Sequence, residues 1–480
     1  MRTTVAELDA AVPEDESERL GAGFLRDHCD GVIALTDAGE RQRLVSALVG
    51  PQAAIRMSFD LMPRDTDDDW AAVGARLRNV PEALRGYRSS LEASRARGDV
   101  AARRVVEATA EQCEVWGRGW FSTFVADRPE LADAAAAANE AYASLGSYLR
   151  RDYGSDATEV DGVGAERYRV WALSVLGTDL DVDEAYEWGK EEWARLEDEK
   201  AAECERIEAG AGFDAVRGFL DSSPDHGVEG VDAFRARLQE LTDEATDALS
   251  GTEFDIPPEL RTCVVSIPPE GSASAPYYTP PSEDLVQPGQ VWFPTVGRTH
   301  FELWSEVTTV YHEAVPGHHL QLGATRVLPL TRAHRLGFNT GHGEGWALYA
   351  ERLMEELGWF TTPPTRLGFL CMQAMRAARV VVDIGLHCGK DDWTYDKAVD
   401  AMQRAGALSL EDATSEVLRY LSWPSQATGY KLGERAWLAG RAAAMDAAGA
   451  GFDRRAWHSK ALALGPLGLD RLVKELATLA

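Results

Sequence analysis

Apolar residues recur with a helical period along almost the whole chain, from about Val5 to Leu249 and again from about Phe301 to the C-terminus. That pattern excludes most sheet-based folds, because a strand needs apolar residues at every second position to bury one face. Ala-rich amphipathic runs such as ADAAAAANEAYASLGSYLRRDY and AYEWGKEEWARLEDEKAAECERIEAG alternate with short breaks. The Glu and Lys of the second run read as a solvated face with i,i+4 pairs. The texture changes between Pro257 and Val296, in TCVVSIPPEGSASAPYYTPPSEDLVQPGQVWFP, where short β-branched and aromatic runs are separated by Pro, Gly and Ser. Two strands are expected there, about Thr262 to Ile267 and Gln290 to Pro294, joined by a long ordered loop. The expected architecture is therefore mainly α, with a helical N-terminal half (1–255) and a half (256–480) holding a small sheet. No internal repeat or low-complexity linker separates the halves, so one continuous body is expected.

Composition narrows the function classes. With 78 Asp and Glu against 49 Lys and Arg, the net charge is −29, which disfavours partners with a phosphate backbone or an anionic membrane surface. A 45% hydrophobic content with 14 Trp, 13 Tyr and 14 Phe rules out an acidic disordered chain. The N-terminal segment MRTTVAELDAAVPEDESERL has no basic start followed by an apolar stretch, and a cytoplasmic protein is expected. Six scattered cysteines without C-x-x-C spacing read as reduced thiols, so any metal here should be held by His and carboxylate. The acidic segment RDTDDDW (Arg64 to Trp70) reads as a helix entry rather than a cation site.

Six of the ten histidines (His300, His312, His318, His319, His334 and His342) crowd into one stretch. A catalytic zinc takes three His or Glu ligands and one water, and a nearby carboxylate accepts the water's proton. The usual H-E-x-x-H helix places two His one turn apart and turns the Glu roughly 100° away. In His312-Glu313-Ala314-Val315-Pro316-Gly317-His318-His319 the position four after His312 is Pro316, which cannot ligate. The Pro-Gly pair interrupts the helix, and a bulged turn there would bring His318 to the place of the second ligand. In an unbroken helix His319 would lie about 10.5 Å along the axis from His312, too far to share one ion comfortably. His318 is favoured as ligand, with His319 behind it or facing substrate.

H-E-A-V-P-G-H-H-L-Q followed by E-G-W-A-L-Y-A-E resembles a large bacterial family of unknown function with the signature HExxPGHH, in the zincin (gluzincin-like) metallopeptidase clan. YYTPP (Tyr277 to Pro281), RAARVVVDIGLH (Arg376 to His387) and the segment from Trp423 through Tyr430 to Gly433 extend the resemblance over most of residues 260 to 440. The resemblance implies a helical zincin-like body with a deep central channel. It further implies His312, His318 and Glu344 as ligands of one Zn2+ ion, Glu313 as general base and Tyr430 as the group stabilising the oxyanion. Mn, Fe or Co could use the same donors.

Other positions keep two readings. Arg379 could hold a substrate carboxylate, and Asp383 could steady a ligand histidine, or both could belong to buried ion pairs. Tyr277 and Tyr278 could line the channel or pack in the core. His342 could touch substrate or sit in a turn, while His28, His226 and His458 read as surface residues. The strand at Val264 to Ile267 could bind an extended substrate along its edge or simply support the metal helix. The function these observations favour is a zinc-dependent hydrolase of peptide or amide bonds in small substrates. The alternatives are a metal-dependent lyase or hydrolase acting on a non-peptide metabolite and a non-catalytic relative.

Overall fold

The computed structural model describes residues 1–269, 275–295 and 297–479. The chain is mainly helical, with helices from Arg2–Ala10 through Val231–Leu249 and again from Leu303–Glu313 through Leu469–Ala477, as the periodicity requires. The RDTDDDW segment is a helix entry: Thr66 caps the Asp67–Arg95 helix, and Asp69 returns a bond to the Thr66 backbone. The six cysteines are free thiols. Among the described residues no helix is long and apolar enough to cross a membrane.

Among the described residues the Pro- and Gly-rich interval holds three strands rather than two. They are β2 (Cys263–Ser266), β3 (Tyr277–Thr279) and β4 (Gly289–Trp292), in the order β2-β4-β3, with β2 parallel and β3 antiparallel to β4. A separate antiparallel pair joins β1 (Gly227–Glu229) to β5 (His300–Glu302) and leads the chain into the helix Leu303–Glu313. The outer edge of β2 is closed to an extended ligand. The Gln239 amide donates to Cys263 O and accepts from Val265 N, both at 2.9 Å, so a side chain from the Val231–Leu249 helix fills the ladder positions.

Six helices matter to the site, five carrying residues that line it and α1 packing behind α5: α1 (Val182–Ile207), α2 (Leu303–Glu313), α3 (His318–Val327), α4 (Thr340–Glu356), α5 (Pro363–Cys388) and α6 (Gly429–Ala448). Helix α5 lies between α1 and α2 and is buried along nearly its full length, including Gln373, Arg376, Arg379, Asp383 and His387. So many polar groups on one buried helix demand partners, and those partners organise the site. Helices α4 and α6 approach backbone to backbone. A Cβ at Gly433 would lie 2.0 Å from Gly341 O, and one at Gly345 would lie 2.4 Å from the Gly433 carbonyl carbon. Only glycine permits that approach, and it sets Glu344 of α4 beside Tyr430 of α6.

One core gathers Tyr168, Phe234, Tyr311, Trp346 and Trp437. A second gathers Val73, Tyr142, Met375, Val382 and Tyr420. Each draws residues from both sides of position 255.

Candidate metal centre

The break that the Pro-Gly pair predicts is larger than a bulge. Helix α2 ends at Glu313, the chain turns through Ala314 to Gly317, and α3 begins at His318. The turn folds back on the end of α2 so closely that a Cβ on Gly317 would lie 1.8 Å from His312 O, which leaves glycine as the residue that fits. Trp346 Nε1 donates to Pro316 O at 2.9 Å and Gly317 O at 3.2 Å, anchoring the turn to α4. The result sets the His312 and His318 rings edge to face with centroids 4.9 Å apart.

His312, His318 and Glu344 form the one group among the described residues whose ligand atoms lie close enough to share an ion, all within 4.8 Å of one another. Glu344 Oε2 stands 3.4 Å from His312 Nε2 and 3.4 Å from His318 Nε2. A charge-assisted hydrogen bond would be about 2.7–2.9 Å. Ligand bonds of about 2.0–2.1 Å in a tetrahedron give edges of roughly 3.3–3.4 Å, so both separations from Glu344 match an edge of the ligand polyhedron of a small cation.

The electrostatics agree. Burial opposes charge on His312, yet the carboxylates of Glu344 and Glu351 outweigh it and lift the imidazole to about 9. Burial likewise opposes the charge of Glu344, and the two imidazoles hold its carboxyl far below the usual range. The site is thus arranged around positive charge, and a metal cation would displace the proton on His312.

Glu351 is the residue that sequence reasoning missed. Its Oε1 accepts from His312 Nδ1 at 2.7 Å, and its Oε2 accepts from Thr308 Oγ1 at 2.7 Å and Gln373 Nε2 at 3.3 Å. Burial works against its charge, but nearby Arg376 and the bonds from His312 and Thr308 keep its carboxyl low. Glu344 and Glu351 are seven residues apart on α4, two helical turns, and they grip the His312 ring from its two nitrogens. The E-x6-E spacing in EGWALYAE was the signal available. Glu351→Gln is expected to lower metal affinity by roughly 10–100-fold, measured by competition with a chromophoric chelator, because the imidazole loses the charged partner that fixes its orientation. An unchanged affinity would contradict that role.

A cavity of about 850 Å³ opens onto the triad. Glu313, Tyr430, Arg379 and Tyr278 all line it, as do Glu306 and Arg376. Tyr430 stacks on His312 with ring centroids 6.4 Å apart, and its phenol is raised by burial and by the charge of Glu344. Burial also lifts Glu306, to about 7.

At several positions the structure selects between the two readings left open, and at His458 it overturns the expectation. His319 does not face the cavity: it is fully buried, bonded to Leu260 O at 2.8 Å and Tyr278 Oη at 3.0 Å. Arg379 lines the cavity but is held by Glu416 at 2.8 Å and Tyr420 Oη at 3.2 Å. His342 is locked behind the site by Leu467 N, 3.3 Å from its Nδ1. His458 is not a surface residue; it is buried between Tyr349 Oη and Glu253 O.

Asp383 does not touch a ligand histidine. It accepts from Tyr168 Oη at 2.5 Å and Ser425 N at 3.0 Å, and burial raises its carboxyl from 3.8 to about 7. With the folded value raised, the folded chain keeps a proton that the unfolded chain has lost. The stability this group contributes is present below about 4 and is lost as pH rises through about 7, on the order of 4 kcal/mol in all. The thermal midpoint of Asp383→Asn should therefore gain on the wild type as pH rises through that window. A pH-independent gap would contradict this.

A mainly helical body with a buried His-His-Glu cluster at the floor of a wide cavity is the class that fold and site define. The chain belongs to the bacterial family of proteins of unknown function DUF885, whose profile matches residues 1–476. No curated protein matches it. Solved structures share the fold, among them two bacterial proteins. A "putative lipoprotein from Colwellia psychrerythraea" is 21% identical with a TM-score of 0.86, over 99% of this chain and 89% of that one. A "putative lipoprotein of unknown function from Shewanella oneidensis" is 17% identical with a TM-score of 0.77, over 98% of this chain and 91% of that one.

Proposed function

We propose that this protein is a zinc-dependent, peptidase-like metallohydrolase that cleaves peptide or amide bonds in small substrates. The observation that carries the proposal is the pair of 3.4 Å separations from Glu344 to His312 and His318, with Glu313 lining the same cavity. Two imidazoles and one carboxylate suit Zn2+, with other divalent transition metals able to use the same donors. The split HExxPGHH arrangement fits a zincin-like helix pair in which the Pro-Gly turn replaces the continuous turn of H-E-x-x-H.

When bound, a zinc ion lowers the pKa of a coordinated water and polarises the scissile carbonyl. The protein's own residues supply the remainder. Glu313 accepts the proton of the attacking water and passes it to the departing amine. Tyr430, held beside His312, donates from its phenol to the carbonyl oxygen as negative charge develops there. Glu351 keeps the His312 ring in one tautomer and one orientation. A cavity of about 850 Å³ suits a short peptide better than a folded protein.

The test is a screen of short peptides against protein stripped with a chelator and then reloaded. Hydrolysis should disappear on stripping and return with Zn2+. Turnover that survives complete metal removal would refute the proposal.

A further inference from the structure

Three arginines gather around Tyr430, which stacks on His312. Arg379 lies over the Tyr430 ring at 4.7 Å and Arg376 at 5.8 Å, and Arg419 shares Glu416 with Arg379, each 2.8 Å from its Oε2. One carboxylate therefore serves two guanidinium groups. Among the described residues Arg376 has none within hydrogen-bond distance: the nearest, Glu351 Oε1, is 3.8 Å away and already accepts from His312. Arg376 is 6% exposed, lines the cavity, and makes one hydrogen bond, from Nη1 to Met372 O at 3.2 Å. Its Nε is buried without a partner among the described residues. The Nε and Nη2 donors form the edge with which a guanidinium grips a carboxylate through two parallel bonds. In Arg376 no hydrogen bond among the described residues uses that edge: Nε is unpartnered, and Nη2 has only the 3.8 Å ion-pair contact with Glu351.

A buried guanidinium with its bidentate edge unpaired is costly unless an anion meets it. Glu344 is committed to the imidazoles, and Glu351, hydrogen-bonded to His312, meets Arg376 only at 3.8 Å, beyond hydrogen-bond distance. We propose that Arg376 is the receptor for a free carboxylate of the substrate, so that this protein acts next to a C-terminal residue and prefers peptides with an unblocked C-terminus. The proposal deepens the hydrolase reading and rests on it for the identity of the anion. It also moves the carboxylate-binding role from Arg379, whose charge Glu416 already meets, to the neighbour one turn earlier on α5.

The test is binding, which does not depend on turnover. N-benzoylated dipeptides with a free C-terminal carboxylate, and the same dipeptides as C-terminal amides, are titrated calorimetrically into zinc-loaded Glu313→Gln protein. The carboxylates should bind at least roughly tenfold more tightly than the amides. Arg376→Gln and Arg376→Lys, checked for an unchanged thermal midpoint and metal content, should erase that preference and reduce it, respectively. Arg379→Gln should leave most of it.

Equal binding of carboxylates and amides, or no binding of either, overturns the proposal without recourse to any variant. So does a preference that survives Arg376→Gln or disappears only in Arg379→Gln. If the carboxylate preference and its dependence on Arg376 hold while the wild type cleaves none of the dipeptides, the anion receptor stands and the hydrolase reading falls. If the wild type cleaves carboxylates and amides equally well, the hydrolase reading stands and the receptor falls.

Discussion

Glu313→Gln should leave one metal ion bound and lower turnover by roughly 10²–10⁴-fold on any peptide the wild type cleaves, the range that a positioned general base contributes. Glu313 follows His312 directly, so it is turned about 100° around the helix from the ligand. It lines the cavity, 8% exposed, and stands outside the His-His-Glu cluster. The amide matches the carboxylate in shape but cannot accept a proton at neutral pH, so the substitution removes chemistry and spares packing. Metal content by elemental analysis and steady-state kinetics separate the two effects. Turnover within about tenfold of wild type would move the base elsewhere. Glu306, two turns earlier on the same helix and lining the same cavity, would then be the first alternative.

The second large effect divides two adjacent histidines. His318→Ala should lose stoichiometric metal, since it deletes one of the three residues proposed to hold the ion and would leave an incomplete shell. His319→Ala should keep the metal, because its ring bonds to Leu260 O and Tyr278 Oη and points away from the cluster. That variant loses stability instead, through the cavity it opens and the buried carbonyl it leaves unpaired. Elemental analysis of both proteins, each checked for a cooperative thermal transition, decides the matter. Metal retained in His318→Ala and lost in His319→Ala would reverse the assignment.

Much of this site was legible because its groups lie close in sequence and their spacing carries geometry. A Pro-Gly pair where H-E-x-x-H places its second histidine implies a broken helix, and the break is there. Glu344 could be anticipated from the helix that follows. What was not legible depends on packing between distant elements. Glu351 looks like any helical glutamate until α4 is laid against α2 and its carboxylate meets His312 Nδ1. Asp383 sits on a plausible face of α5, but which neighbour that face meets is a tertiary fact, and the neighbour is Tyr168. His458 has polar sequence neighbours, yet a short helix buries it against Phe254 and Tyr349. Strand β3 escaped notice because Pro and Ser flank it and its residues pair only with β4, which follows later in the chain.

The central claim is that His312, His318 and Glu344 hold a catalytic metal ion, and the direct measurement is elemental analysis of the purified wild-type protein beside His312→Ala. One zinc or other divalent transition metal ion per chain in the wild type, and none in His312→Ala, is the predicted result. A folded wild-type protein that neither carries such an ion nor takes one up on reconstitution would contradict the account.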